Sequence, residues 1–250
     1  MTDFTMSVPG AEVFVRDSGG AALPALVVFN GARCNTEMWT PVMDDLTPHF
    51  RVIRHDLRGT GRSRAADGAE LGLARFADDA ALILSHLELS SATVWGMAMG
   101  ARVAAAFASR HARLTALVAL YDASLEAPDP DAQRAGAERA KRRREELGIP
   151  ELERDRAWFS NDDPDGLRRV LASVYKNPDH GELVSAITAP VLVATGEYDP
   201  NLEPSRRLAA ALPGAEMTVL DATGHGSVMQ RPGLCAAVLL DFARRHGLLG

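Results

Sequence analysis

The segment Val94-Trp95-Gly96-Met97-Ala98-Met99-Gly100 joins an apolar run to an alanine-rich one and has the spacing of G-x-S-x-G, with alanine where that motif carries serine. Its glycines permit a sharp strand-to-helix turn that lifts the central side chain above a sheet, and the next backbone N–H then points into an oxyanion hole. The methyl group of Ala98 can neither attack a carbonyl nor give up a proton. Two residues suited to proton transfer stand in loops after later apolar runs: Asp199 in Gly196-Glu-Tyr-Asp199-Pro200, and His225 in Gly224-His225-Gly226. A carboxylate that holds an imidazole in one tautomer, and stabilises it once protonated, makes the imidazole a general base and then a general acid. Asp122, after a further apolar run, is the alternative carboxylate. Each has a plainer reading: Asp199 before proline as a turn residue, His225 as a packed or surface histidine.

Together with two more loops, these residues resemble the α/β-hydrolase family, and within it the enol-lactone hydrolase and esterase members with a short helical cap. Phe29-Asn30-Gly31-Ala32-Arg33 is similar to the family's oxyanion loop, although the family usually has His-Gly where this chain has Asn30-Gly31. His55-Asp56-Leu-Arg58-Gly59-Thr-Gly61-Arg-Ser63 is similar to its D-x-R-G-x-G-x-S turn. The resemblance runs through nearly the whole chain and implies the order nucleophile position Ala98, acid Asp199, base His225, with the N–H groups of Ala32 and Met99 as the oxyanion hole. Asp122 then falls where the family commonly keeps a structural aspartate. Asn30, Arg33, Met97 and Trp158 are substrate-contact candidates, Arg33 for a substrate carboxylate. The plainer readings are an exposed loop arginine for Arg33, which is the favoured one, and packing for Trp158. Cys34 lacks the elbow setting and reads as a small buried thiol.

The elements that must position these loops follow from hydrophobic pattern. Short continuous apolar runs at Ala25–Asn30, Arg51–Asp56, Ala92–Trp95, Leu114–Leu120, Val191–Ala194 and Met217–Leu220 read as buried strands, after β character at Phe4–Ser7 and Val13–Arg16. Leu73, Phe76, Ala80, Ile83, Leu84 and Leu87 fall on one helical face, and Met99–Ala108 and Gly233–Leu248 read the same way. Alternating strand and helix predicts a mostly parallel α/β sheet flanked by helices, with ligands beyond the carboxyl ends of its strands. The rhythm breaks over 125–187, which is predicted to be a helical cap inserted into a core of 1–124 and 188–250. Its basic cluster Arg139, Lys141, Arg142, Arg143 and Arg144, interleaved with glutamates, reads as a solvated helix face.

The 250 residues carry 27 Lys+Arg against 33 Asp+Glu, a net charge of −6 that argues against nucleic acid or an anionic membrane as partner. With 46% hydrophobic and 24% charged residues the chain is expected to be globular, and monomer versus homo-oligomer stays open. Cys34 and Cys235 suggest neither a disulfide framework nor a thiolate metal site, so a reducing cytoplasm is expected. No leader or membrane-length apolar run is expected at the start MTDFTMSVPG or beyond it. Gly59-Thr-Gly61 lacks the third glycine of a dinucleotide fingerprint, and no H-E-x-x-H occurs, so neither a cofactor nor a metal is expected. Three readings of Ala98 remain. It is an engineered replacement in a serine ester or lactone hydrolase; or it is native in a site where His225 and Asp199 work without a covalent step, as lyase, isomerase, decarboxylase or water-activating hydrolase; or the protein binds a small molecule without catalysis.

Overall fold

In the computed structural model, which describes residues 1–175 and 186–250, the strands form one nine-stranded sheet. The strands are β1 (Thr2–Val8), β2 (Ala11–Asp17), β3 (Ala25–Phe29), β4 (Arg51–His55), β5 (Arg64–Ala65), β6 (Ala92–Met97), β7 (Thr115–Tyr121), β8 (Val191–Gly196) and β9 (Glu216–Leu220). Their order is β1-β2-β4-β3-β6-β7-β8-β9, with β5 beside β2. From β4 to β9 every pairing is parallel, whereas β1, β2 and β5 are antiparallel additions at one edge. This is the α/β architecture expected from the sequence. β3, β6 and β8 are buried at every position, which is why they read as unbroken apolar runs rather than alternations.

Successive side chains of each strand feed opposite layers. On β6, Val94 enters a layer with Phe76, Ile83 and Phe107, which belong to α2 (Leu73–His86) and α3 (Met99–Arg110). Trp95 enters the other layer, with its ring 4.8 Å from Trp39 and 5.0 Å from Tyr121. That layer is closed by a 3₁₀ turn (Thr36–Val42), α1 (Met43–Leu46) and α7 (Pro232–Arg245). Ala104, Ala105, Ala106 and Ala108 of α3 are all buried, and their small side chains let this helix lie close against the sheet.

Between β7 and β8 the described residues contain helices only: α4 (Pro130–Glu146), a 3₁₀ turn (Arg156–Phe159) and α5 (Pro164–Tyr175). Of the expected insertion over 125–187, residues 176–185 lie outside the described residues. Asp129 caps α4 by accepting from the amides of Asp131 and Ala132, with Pro130 in the first position, where its missing N–H costs nothing. The solvated face expected for the basic cluster needs one correction. Arg139, Lys141, Arg142 and Arg143 are exposed, but Arg144 is buried and reaches back to the core. α6 (Leu202–Ala211) follows β8, and no described helix is long and apolar enough to cross a membrane.

One ion pair joins the loop after β4 to α2. Arg58 grips Asp79 through two bonds of 2.7 and 2.6 Å, and both residues are buried. Burial pushes the Asp79 carboxyl up, against the opposing pull of Arg58. Removing one partner strands the other charge in the interior. Asp79→Ala is therefore expected to lower stability by about 3–5 kcal/mol in denaturant titration, while Arg58→Met combined with Asp79→Leu recovers most of that loss. Equal losses in the single and double variants would contradict this.

Candidate active site

The turn after β6 is as sharp as the glycine spacing implies. Ala98 has φ 54° and ψ −112°, a conformation unusual for a residue with a side chain. Its amide donates to the carbonyl of Tyr121 at 2.8 Å, which fixes the turn against β7. A Cβ on Gly96 would stand 2.1 Å from the Gly100 carbonyl oxygen, and one on Gly100 would stand 2.0 Å from that of Phe29. Glycine at both positions is therefore a steric requirement of α3 leaving the sheet here.

Three loops at the same sheet edge deliver the titratable groups. His225 Nδ1 lies 2.9 Å from Asp199 Oδ2, the Asp199 side chain is fully buried, and the imidazole keeps 20% of its surface. Asp199 Oδ1 also accepts from the Asn201 amide at 2.9 Å, which fixes the orientation of the carboxylate. Asp122 takes a different part. Its Oδ2 accepts from the amides of Gly226 at 3.0 Å and Ser227 at 2.7 Å, pinning the residues that follow His225. Its Oδ1 is buried without a hydrogen-bond partner among the described residues. Burial pushes Asp122 up to about 7, reinforced by the charge of Asp199 and opposed by His225 and Ser227. Burial works to lower the His225 pKa, but the hydrogen bond and charge of Asp199, followed by the charge of Asp122, outweigh it and hold the imidazole above its usual value. Ligand atoms of Asp122, Asp199 and His225 all lie within 4.8 Å of one another, and these are the described residues that could hold a cation. Asp199 is engaged by His225 and the Asn201 amide, and Asp122 Oδ2 by the amides of Gly226 and Ser227.

A cavity of about 500 Å³ opens above these groups. Ala98, His225, Asp122, Ala32, Met99, Met97, Arg33 and Cys34 all line it. Among the described residues the amides of Ala32 and Met99 donate to nothing, so both remain available to an oxygen in the cavity. Cys34 is buried and its thiol is pushed up to about 12 by burial, far from the thiolate that nucleophilic attack requires. Two proposed substrate contacts are not there. Asn30 Nδ2 donates to the His55 carbonyl at 3.0 Å and its Oδ1 accepts from Trp39 Nε1 at 2.8 Å, so its side chain is spent inside the wall. Trp158 is buried in the core layer of Trp39 and does not line the cavity. The Asp56 turn is likewise structural: its carboxylate accepts from the amides of Thr36 and Arg62 at 2.7 and 2.9 Å.

The sequence reading missed Arg102, Arg154 and Gln230. Arg102 stands one helical turn after Ala98 and shares the cavity with it, so helical spacing would have found it. Arg154 sits in an irregular stretch that gives no such signal. Gln230 donates to the His225 carbonyl at 2.7 Å and accepts from the Gly224 amide at 3.0 Å. Arg144 of α4 donates to the same Gln230 oxygen and to the Ala222 carbonyl, each at 2.9 Å.

Residues 26–238 match the family model described as the alpha/beta hydrolase family. A protein from Agrobacterium fabrum (strain C58) described as a candidate carbamate hydrolase, RutD, is 29% identical over 89% of this chain and 94% of its own length. Its counterpart from Caulobacter sp. (strain K31) is 30% identical over 82% and 84%. Among solved structures, the enol-lactonase from Burkholderia xenovorans LB400 superposes with a TM-score of 0.79 at 25% identity, covering 96% of this chain and 99% of that one. A thermophilic esterase from Thermogutta terrifontis, with malate bound, has a TM-score of 0.79 at 27% identity over 98% and 99%.

Asp122→Asn separates the carboxylate's two effects, since the amide oxygen still accepts from Gly226 and Ser227 while the charge is gone. Because the Asp122 charge raises the His225 pKa, the variant's imidazole is expected to titrate at lower pH in an NMR titration. An unchanged His225 titration would reduce Asp122 to a structural anchor.

Proposed function

The chain belongs to the alpha/beta-hydrolase family, and we propose that it cleaves a small ester, lactone or carbamate by His225-activated attack of water, without a covalent acyl-enzyme. The observation that carries this reading is the 2.9 Å bond between His225 and Asp199 beside a cavity that also holds the methyl group of Ala98 and the free amides of Ala32 and Met99. The names of the relatives, a carbamate hydrolase, an enol-lactonase and an esterase, support the choice of bond.

The scissile carbonyl oxygen lies toward the amides of Ala32 and Met99. A water molecule occupies the space that a nucleophilic side chain at position 98 would fill. His225 Nε2 removes a proton as the water oxygen bonds to the carbonyl carbon, and Asp199 stabilises the imidazolium through Nδ1. The two amides take up the negative charge that develops on the carbonyl oxygen. Collapse of the tetrahedral species breaks the bond to the alkoxide or amine leaving group, which recovers the proton from Nε2. Water has been consumed and the imidazole is neutral again. No cofactor enters these steps.

The base must be unprotonated to act, and its pKa lies above the usual value of 6.5. Turnover is therefore expected to climb as pH rises through the His225 titration and to fall away below it. With aryl acetates as probes, His225→Ala is expected to lower kcat/KM by about 10²-fold or more. Ala98→Ser is expected to introduce a pre-steady-state burst of phenol that the unaltered chain lacks. Unchanged turnover in His225→Ala, or a burst in the unaltered chain, would defeat the reading.

A further inference from the structure

The molecule carries a net charge of −6, yet the lining of its cavity is cationic. Arg33 enters from the loop after β3, Arg102 from α3, Arg134 from α4 and Arg154 from the stretch before the 3₁₀ turn Arg156–Phe159. Among the described residues, neither acidic residue of the same lining pairs with Arg33 or Arg154. Glu126 is ion-paired with Arg207, which stands outside the lining. Asp122 lies fully buried with one oxygen taken by two amides. Arg102 donates to the Glu126 carbonyl and Arg134 pairs with Asp131 in the first turn of α4. Arg33 and Arg154 make no ion pair or hydrogen bond among the described residues. Both line the cavity; Arg33 adjoins Cys34 in the chain, and the charge of Arg154 acts on the Cys34 thiol.

A guanidinium without a partner in a concave site is a fork of donors matched to a planar oxyanion, and it also draws such ions in from solution. Arg33 directly follows Ala32 and lines the same cavity, so an anionic group bound there sits a short distance from a carbonyl held at the Ala32 amide. Resting on the hydrolysis proposed above, we propose that the substrate carries a carboxylate remote from its scissile carbonyl, and that Arg33 from the core and Arg154 from the segment over it bind that carboxylate together. A cavity of about 500 Å³ suits a small acid derivative of this kind.

Two measurements test this. In calorimetry, glutarate is expected to bind the unaltered chain and to bind the Arg33→Gln/Arg154→Gln variant about tenfold more weakly or worse, the change expected on losing charge-assisted bonds. Both side chains are exposed, and a thermal melt shows that the variant is folded. Equal binding of glutarate by the two proteins, or no binding by either, overturns the proposal; equally tight binding of inorganic phosphate overturns its carboxylate part. In turnover, monomethyl glutarate is expected to exceed its uncharged analogue methyl valerate by about tenfold in kcat/KM, with the ratio collapsing in the double variant. Equal turnover of both esters by the unaltered chain overturns the proposal. Arginine-dependent glutarate binding without turnover of either ester keeps the anion site and refutes the hydrolysis on which the substrate reading rests.

Discussion

The site depends on one close passage of backbone past backbone. Where α3 leaves β6, Gly100 lies against the carbonyl of Phe29 and Gly96 against that of Gly100, at separations that admit no side chain on either glycine. At that turn position 98 takes its positive φ, and Met99 and Ala32 line the same cavity. The cost of holding a side-chain-bearing residue at such a φ is about 1–3 kcal/mol. Packing of α3 through its run of alanines stabilises the turn without reference to what position 98 carries. The geometry that would present a nucleophile therefore persists although Ala98 has none.

A second layer of constraint is electrostatic. Asp199 and Asp122 converge on one imidazole, yet the chain treats them unequally. Asp199 faces Nδ1 directly, while Asp122 gives its bonding capacity to the amides that follow His225. Two carboxylates this close and this buried repel each other, and burial together with the charge of Asp199 pushes Asp122 up to about 7. Asp199 fixes the ring through its bond to Nδ1. One aspartate sets the ring and the other sets the loop, a division invisible in the residue types alone.

What the sequence disclosed, and what it withheld, follows from the same physics. Strands buried on both faces announce themselves as apolar runs, and glycines with no steric alternative mark the elbow, so Gly96, Gly100, Asp199 and His225 were readable in order. α6 was not, because only Ser205 and Leu208 of its ten residues are buried and no apolar stripe results. Asn30 occupies the expected loop, but sequence position does not tell which way a side chain turns, and this one turns inward to Trp39 and His55. Arg144 sits in a row of arginines that are otherwise solvated. Only the three-dimensional approach of α4 to the Ala222 carbonyl distinguishes it.

That approach ties the cavity wall to the His225–Asp199 pair through a single helix. A Cβ on Gly136, midway along α4, would stand 2.1 Å from the carbonyl of Tyr198, the residue before Asp199, and Gly224, before His225, lies against Ala137. Toward its end, Arg144 holds Gln230, which in turn holds the backbone on both sides of the Gly224–His225 peptide. Near its start, Gln133 and Arg134 face the cavity. α4 therefore lies directly on both loops that carry Asp199 and His225 while its first turns form cavity wall. A helix so engaged is poorly suited to swing away as a free lid, because lifting it would uncover the buried Arg144 guanidinium and release the partners that fix His225. Changes of sequence that retune what the cavity accepts are least disruptive in the first turns of α4 and in the Arg154 stretch, since from Gly136 onward the helix also determines where the imidazole stands.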